Sequence, residues 1–214
     1  MTEVPILTRM RYFRILVSTW ALSTCMMSGQ KPNPSGSVVN PADMPCGMVY
    51  GKDHFLSICA PKGWTFDDSV LAKDGIYATF YRTEFTYREA LARHTIMYAN
   101  VVLKEKGQQD TSEMMKLDAQ KTKRDSPNVV IQRGNPIVIS NDRDKSTIRV
   151  PVQSFLNDYQ GGYESVAYVE NDKTIVMIVI SSISNEMLQR DFPDFVKLVQ
   201  SYRFLASNVV VEHK

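Results

Sequence analysis

Residues 174–183, TIVMIVISSI, constrain this chain more than any other stretch. A half-buried strand alternates apolar and polar side chains, because successive side chains point to opposite faces. Here both faces are apolar, so the segment reads as a central strand covered on both sides. YESVAYVE (163–170) precedes it across a short NDK turn, which makes a hairpin. A sheet with two buried faces needs layers above and below it.

The rest of the chain supplies those layers. DHFLSICAP, GIYATFYRT (75–83) and IMYANVVLKE (96–105) read as strands, with the domain beginning near Val49. In the second of these, Ile76, Ala78 and Phe80 alternate with Tyr77, Thr79 and Tyr81. Asp110 with Glu113 three residues on has the capping-box pattern and opens a helix over about 111–124. Met114, Leu117 and Lys121 share a stripe, with Met115 and Ala119 beside it, and Pro127 forbids continuation. NVVIQRGNPIVIS (128–140) is a strand broken by Gly134 and Pro136. KSTIRVPVQSFLN (145–157) reads as one strand with Ile148, Val150, Val152, Ser154 and Leu156 on a single face. A last helix starts near Asn185, with a break or fresh start expected at Pro193. FLASNVVVEHK then adds an edge strand. Few helices and many hairpin-linked strands give an α+β fold, a mostly antiparallel β-sheet flanked by helices.

The N-terminus has its own logic. Arg9, Arg11 and Arg14 precede an apolar run from Ile15 to Thr24, the order of a secretory signal. The run is shorter than the roughly 20 residues that span a bilayer. LSTC, residues 22–25, resembles the lipobox of bacterial lipoproteins, with Thr24 where that family carries Gly, Ala or Ser. The resemblance implies lipidation of Cys25, cleavage before it, and a cell-envelope address. Met26 in place of Asp points to the periplasmic side of the outer membrane rather than inner-membrane retention. A plain secreted or periplasmic protein, or a buried first helix, are the other readings. Met10 is an alternative start. Residues 1–24 hold three arginines and one glutamate, so losing them takes the net charge from +2 to zero. The remaining domain then has no electrostatic footprint for nucleic acid. Residues 25–48, rich in Pro, Gly and Ser, read as a flexible linker, 49–207 as the domain and 208–214 as a tail. With Cys25 lipidated, Cys46 and Cys59 remain, either as a disulfide in an oxidising compartment or as two free buried thiols.

FLSICAPKGWTF resembles the opening strand and Gly-Trp turn of the PsbP-like and DcrB-like domains. The helix after NVVLKEKGQQDTSEMM, and ESVAYVENDKTIVMIVISSI followed by FPDFVKLVQSYRFL, resemble their central helix, closing hairpin and terminal helix. The resemblance spans about residues 50–205. It implies an α/β/α sandwich and an accessory or binding role: its members include a photosystem subunit, a bacterial envelope lipoprotein and a Ran-binding import factor. No catalytic residue comes with it.

Chemistry is sparse. G-x-S-x-G, H-E-x-x-H, P-loop and G-x-G-x-x-G motifs do not occur. Cys59 and His94 form the only thiol–imidazole combination to weigh, without a local signature. Asn141, Asp142 and Asp144 lack the glycine and distal glutamate of a calcium loop. Glu170/Asp172 and Asp191/Asp194 are carboxylate pairs placed in a turn and at a helix start, where acids occur for local reasons. His54, His94 and His213 are scattered, so neither metal nor cofactor is expected. Lys116, Lys121, Lys123 and Arg124 read as a solvated helix face, and Trp64 as packing. Tyr77, Tyr81, Tyr87 and Tyr98 lie on or near the first strands, while Tyr159, Tyr163 and Tyr168 surround the Gly161-Gly162 hairpin. That hairpin is the candidate partner-binding patch, against the alternative of plain sheet cover. The expectation is a non-enzymatic envelope lipoprotein that binds a protein partner. The alternative is a small-molecule or lipid carrier, whose cleft the 11 methionines would line.

Overall fold

The strand over Thr174–Ser182 is buried at every residue but Ser181, and the structure is arranged around it. The computed structural model describes residues 46–51, 53–104, 110–140, 146–158 and 161–207. Cys25, Tyr159 and the Asn141/Asp142/Asp144 turn lie outside them, as does the tail over 208–214. The chain runs β1 (Cys46–Gly51), β2 (His54–Cys59), β3 (Trp64–Asp67), β4 (Ala78–Arg82), α1 (Tyr87–Arg93) and β5 (Thr95–Leu103). It continues α2 (Thr111–Asp125), β6 (Val130–Arg133), β7 (Ile137–Ser140), β8 (Thr147–Val150) and β9 (Val152–Leu156). It ends β10 (Tyr163–Glu170), β11 (Thr174–Ser182), α3 (Asn185–Ser201) and β12 (Arg203–Ala206).

A seven-stranded sheet has the order β3-β4-β5-β11-β10-β9-β6, beside a three-stranded sheet β1-β2-β12 and the β7-β8 hairpin. Neighbouring strands pair antiparallel throughout. β11 sits in the middle, and Ile175 through Ile180 are each 0% exposed. Val176, Ile178 and Ile180 share a core cluster with Leu188, Phe195, Leu198 and Val199 of α3. The alternate set, Ile175, Met177 and Val179, is directed to the opposite face. On the flanking strands, α1 packs against β4 and β5, and α2 against β10. The fold is α+β, as expected.

Four local readings need correction. β1 begins at Cys46, inside the stretch read as linker, because Cys46 is paired and disulfide-bonded to Cys59 across β2. Trp64 by contrast packs in the core cluster as expected, and it is the first residue of the short strand β3. KSTIRVPVQSFLN is two strands in two sheets, since Pro151 has no N–H to give a ladder; Ile148 is 46% exposed and Phe155 is the buried residue. The inner stripe of α2 is Thr111, Met114, Met115, Asp118 and Thr122, whereas Leu117 faces out. α3 runs unbroken through Pro193. An interior proline costs about 3 kcal/mol. Burying Leu188, Phe195, Leu198 and Val199 contributes about 1.5–3 kcal/mol for each, so packing prevails.

The small sheet is fastened to the large one through β1. Gly47 and Val49 face inward, and a Cβ built on Gly47 would overlap the ring of Phe66. Gly47→Ala therefore overpacks this joint. We expect a lower urea midpoint, equivalent to about 1–3 kcal/mol. The added substitution Phe66→Leu should recover part of the loss.

Candidate functional site

The sequence candidates scatter once they are placed. Cys46 and Cys59 are joined as a disulfide, so the Cys59–His94 combination has no thiol. His94 instead stacks on Phe85, ring centroids 3.8 Å apart. Of the candidate tyrosine patch, Tyr159 lies outside the described residues and Tyr168 is corrected. Tyr168 is 0% exposed because β10 is covered on both faces, and Tyr163 is half-buried against the core cluster. Tyr98 is also buried, and Tyr81 donates to Asp67 Oδ2 at 3.1 Å. Only Tyr77 of the first-strand tyrosines ranks among the strongly exposed apolar residues. Among the described residues, no group of three His, Cys, Asp or Glu side chains is placed to hold a metal ion.

The carboxylates are engaged structurally. Asp191 and Asp194 lie within α3, not at its start, where they bind the helix to the sheet edge. The Asp191 side chain is 0% exposed and takes Arg82 Nη2 at 2.7 Å and Arg190 Nη2 at 2.8 Å. Burial works to raise its pKa, but the bonds from Arg190, Arg82 and Thr95 outweigh it and hold the carboxyl below its usual range. Asp194 accepts from Trp64 Nε1 at 3.1 Å and from Lys197 at 2.9 Å, while the Arg82 guanidinium lies 4.7 Å over the Trp64 ring. Glu170 accepts from Lys104 Nζ at 2.7 Å and from the Thr111 backbone N–H and hydroxyl at 3.1 and 2.6 Å. The Lys104 and Thr111 bonds hold it below its usual range. Each of these carboxylates stays charged against a fixed donor, which suits anchoring rather than proton transfer.

Asp118 is different, and sequence reasoning missed it. It is 2% exposed on the inner face of α2, and its Oδ2 accepts the Tyr168 hydroxyl at 2.7 Å. Desolvation pushes its pKa up to about 6, against the Tyr168 bond and the Lys121 charge, which lower it. Lys121 is not on the solvated face either; its ammonium is buried, whereas Lys116, Lys123 and Arg124 are exposed. The expected stripe runs through Leu117 and Lys121, so Asp118 carries no local signal of its burial.

One concave feature among the described residues lies where α2 begins. A groove of about 420 Å³ is lined by Met115, Pro136, Pro151 and Val152, with Gly134 beside them. Asp110, Thr111, Ser112, Glu170 and Arg133 add polar atoms. Its size is within that of ligand clefts, about 300–1,000 Å³. The two acids are occupied: Asp110 caps α2 by accepting from the Glu113 N–H at 2.8 Å, and Glu170 is held as above. Arg133 is exposed at the end of β6, and its guanidinium meets no acceptor among the described residues. The groove therefore offers apolar walls and one unspent cation. Gly134 and Pro136, which interrupt the strand, are the sequence signal that marked this corner.

No protein-family model matches the chain, and no curated protein matches it. Among solved structures the chain is similar to cyanobacterial PsbP of Synechocystis, with a TM-score of 0.47 and 13% identity over 81% of this chain and 100% of that one. It is similar also to the Ran-binding protein Mog1p of Saccharomyces cerevisiae, with a TM-score of 0.42 and 13% identity over 75% of this chain and 95% of that one.

Asp118 yields a pH prediction. Its folded pKa lies above its unfolded value near 3.8, so between about pH 4 and pH 6 the folded state binds more protons. This group's contribution to stability therefore falls as pH rises through that window and is constant above it. Asp118→Asn cannot titrate. The stability difference, wild type minus Asp118→Asn, should drop by roughly 2–3 kcal/mol from pH 4 to pH 7 in parallel urea melts. A pH-independent difference refutes the raised pKa.

Proposed function

We propose that this chain is a non-enzymatic lipoprotein of the bacterial cell envelope, anchored through Cys25, whose α+β domain binds a protein partner through the groove at the start of α2. The export-signal order of residues 9–24 and the Leu22–Cys25 lipobox resemblance support the anchor. The Cys46–Cys59 disulfide suits an oxidising compartment. The proposed address is the periplasmic face of the outer membrane. The stretch between Cys25 and Cys46 has the composition of a tether. If it behaves as a flexible coil of about 20 residues, its root-mean-square span is roughly 25 Å. Tethering raises the effective concentration near membrane-bound assemblies without any new contact.

The observation that carries the binding role is the groove, in which Arg133 stands among apolar walls and meets no acceptor among the described residues. The partner chemistry it fits is an extended segment bearing a carboxylate beside an apolar side chain. The carrier reading rests on the same groove: a small amphiphile with an acidic head has matching chemistry. Met97 and Met177 fill the core and Met115 alone of these reaches the groove, so the methionines do not line a broad cleft.

Two experiments test the proposal. A photo-crosslinker at position 133, used in the cells that make the protein, should yield a discrete protein adduct. The same probe at the exposed Lys123 should not, and Arg133→Glu should abolish binding of the captured partner. A retained small molecule in native mass spectrometry, with no protein adduct, favours the carrier instead. For the anchor, metabolic labelling with a clickable fatty acid should mark the wild type and leave Cys25→Ala unlabelled. Labelling of both overturns Cys25 as the site.

A further inference from the structure

We propose that Asp118 links the groove at the start of α2 to pH: when its carboxyl takes up a proton, the groove holds an anionic ligand more tightly. The inference rests on the groove being the binding site. Three contacts carry it. Asp118 follows the groove-lining Met115 by three residues on the buried stripe of α2, so the two side chains are neighbours on one helix face. Its partner Tyr168 precedes the groove-lining Glu170 by two residues, so both point to the same face of β10. The Tyr168 N–H donates to the carbonyl of Pro151 at 3.1 Å, and Pro151 lines the groove. The bond between Asp118 and Tyr168, at 2.7 Å, therefore lies about one helical turn behind the groove and joins two of the elements that build it.

That position puts a carboxyl group behind a site for anions. Asp118 is seven residues on from Thr111, which lines the groove, a rise of about 10 Å along the helix axis. It is 2% exposed, so salt and water screen it little. A carboxylate there repels an anion held by Arg133, and a neutral carboxylic acid does not. Linkage makes the effect reciprocal. A bound anion raises the proton affinity of Asp118 by the same factor that the proton raises the affinity for the anion.

The groups around Asp118 set the range in which it responds. Burial pushes its carboxyl up to about 6, against the Tyr168 bond and the charge of Lys121 on its own helix. On β10, Glu170 is held charged through that range by Lys104 and Thr111. Glu164 is a second buried acid on the same face of β10, four residues before Tyr168. Asp110 is committed to the cap of α2, and Arg133 on β6 is the cation that meets the ligand. His54 and His94 line no part of the groove.

N-acetyl-leucine is the probe, since its carboxylate lies beside an apolar side chain and stays charged above pH 5. Titrated by NMR into the full chain carrying Cys25→Ala, it should bind, and Arg133→Gln should lose that binding. The affinity should fall about tenfold from pH 5 to pH 8, the size expected of one partly screened charge at that separation. Asp118→Asn, which cannot titrate, should keep the tighter value at both. In the chain with Asp118 intact, the Asp118 carboxyl carbon should titrate about one pH unit higher with saturating probe than without it, and this reading needs no change at Asp118. Tyr168→Phe removes the donor and should move both the titration and the change in affinity to higher pH. Binding that needs Arg133 but is equal at pH 5 and pH 8, or that falls equally in Asp118→Asn, overturns the linkage and leaves the groove reading standing. No binding at either pH, or binding indifferent to Arg133→Gln, overturns both.

Discussion

The double-sided burial of β11 is the constraint from which the architecture follows. A strand with Ile, Val and Met on both faces has no solvated side, so it cannot lie at an edge or under a single layer. α3 supplies one cover, through Leu188, Phe195, Leu198 and Val199. The opposite face belongs to the side on which α1 and α2 dock, against the strands flanking β11. The antiparallel partners β5 and β10 are in turn nearly continuous in burial, and the polar positions move outward to β3, β6 and the chain crossings.

Apolar contact is non-directional, and the orientation of each helix is set by a few polar bonds. α2 is tied to β10 at its first residue by Glu170 and near its middle by Asp118 on Tyr168. α3 is tied to the far edge of the same sheet by Asp191 and Asp194 on Arg82 and Trp64, and to β2 by Ser201, which accepts from the Cys59 N–H at 2.9 Å. Breaking a buried ion pair leaves an uncompensated charge, which costs more than the pair contributes. These contacts specify one seating of each helix among several that burial alone would tolerate.

The large features were legible because they depend on local pattern. The doubly apolar β11, the hairpin with β10, the Asp110 cap and the strand break at Gly134 and Pro136 are all read within a few residues, and the structure has them. The failures have a common cause. The phase of the α2 stripe depends on Tyr168, which lies 50 residues from Asp118, and no window on the helix contains that partner. Pro193 breaks a helix in isolation, but the face that overrides it is supplied by strands distant in sequence. Tyr168 looked like a surface aromatic because a hairpin pattern says which residues alternate and not whether both sheet faces are covered. The groove combines α2, the β6–β7 crossing and the end of β10; only its Gly and Pro residues leave a local mark, and Arg133 none.

An interior whose buried acids are already committed places any recognition at the margins of the sheets. The groove sits where α2 starts beside β6, and among the described residues β1 is an edge of the small sheet. Both offer short-range complementarity rather than a field. Beyond residue 24 positive and negative charges are equal in number, so once residues 1–24 are removed as proposed, no net charge steers a partner inward. Without steering, protein association runs at about 10⁵–10⁶ M⁻¹s⁻¹ and depends little on salt. If Cys25 carries the anchor proposed above, confinement to a surface does the work that charge does elsewhere: it raises the encounter frequency of weak contacts, so a groove whose one guanidinium meets no acceptor among the described residues is occupied at a membrane though weak in solution.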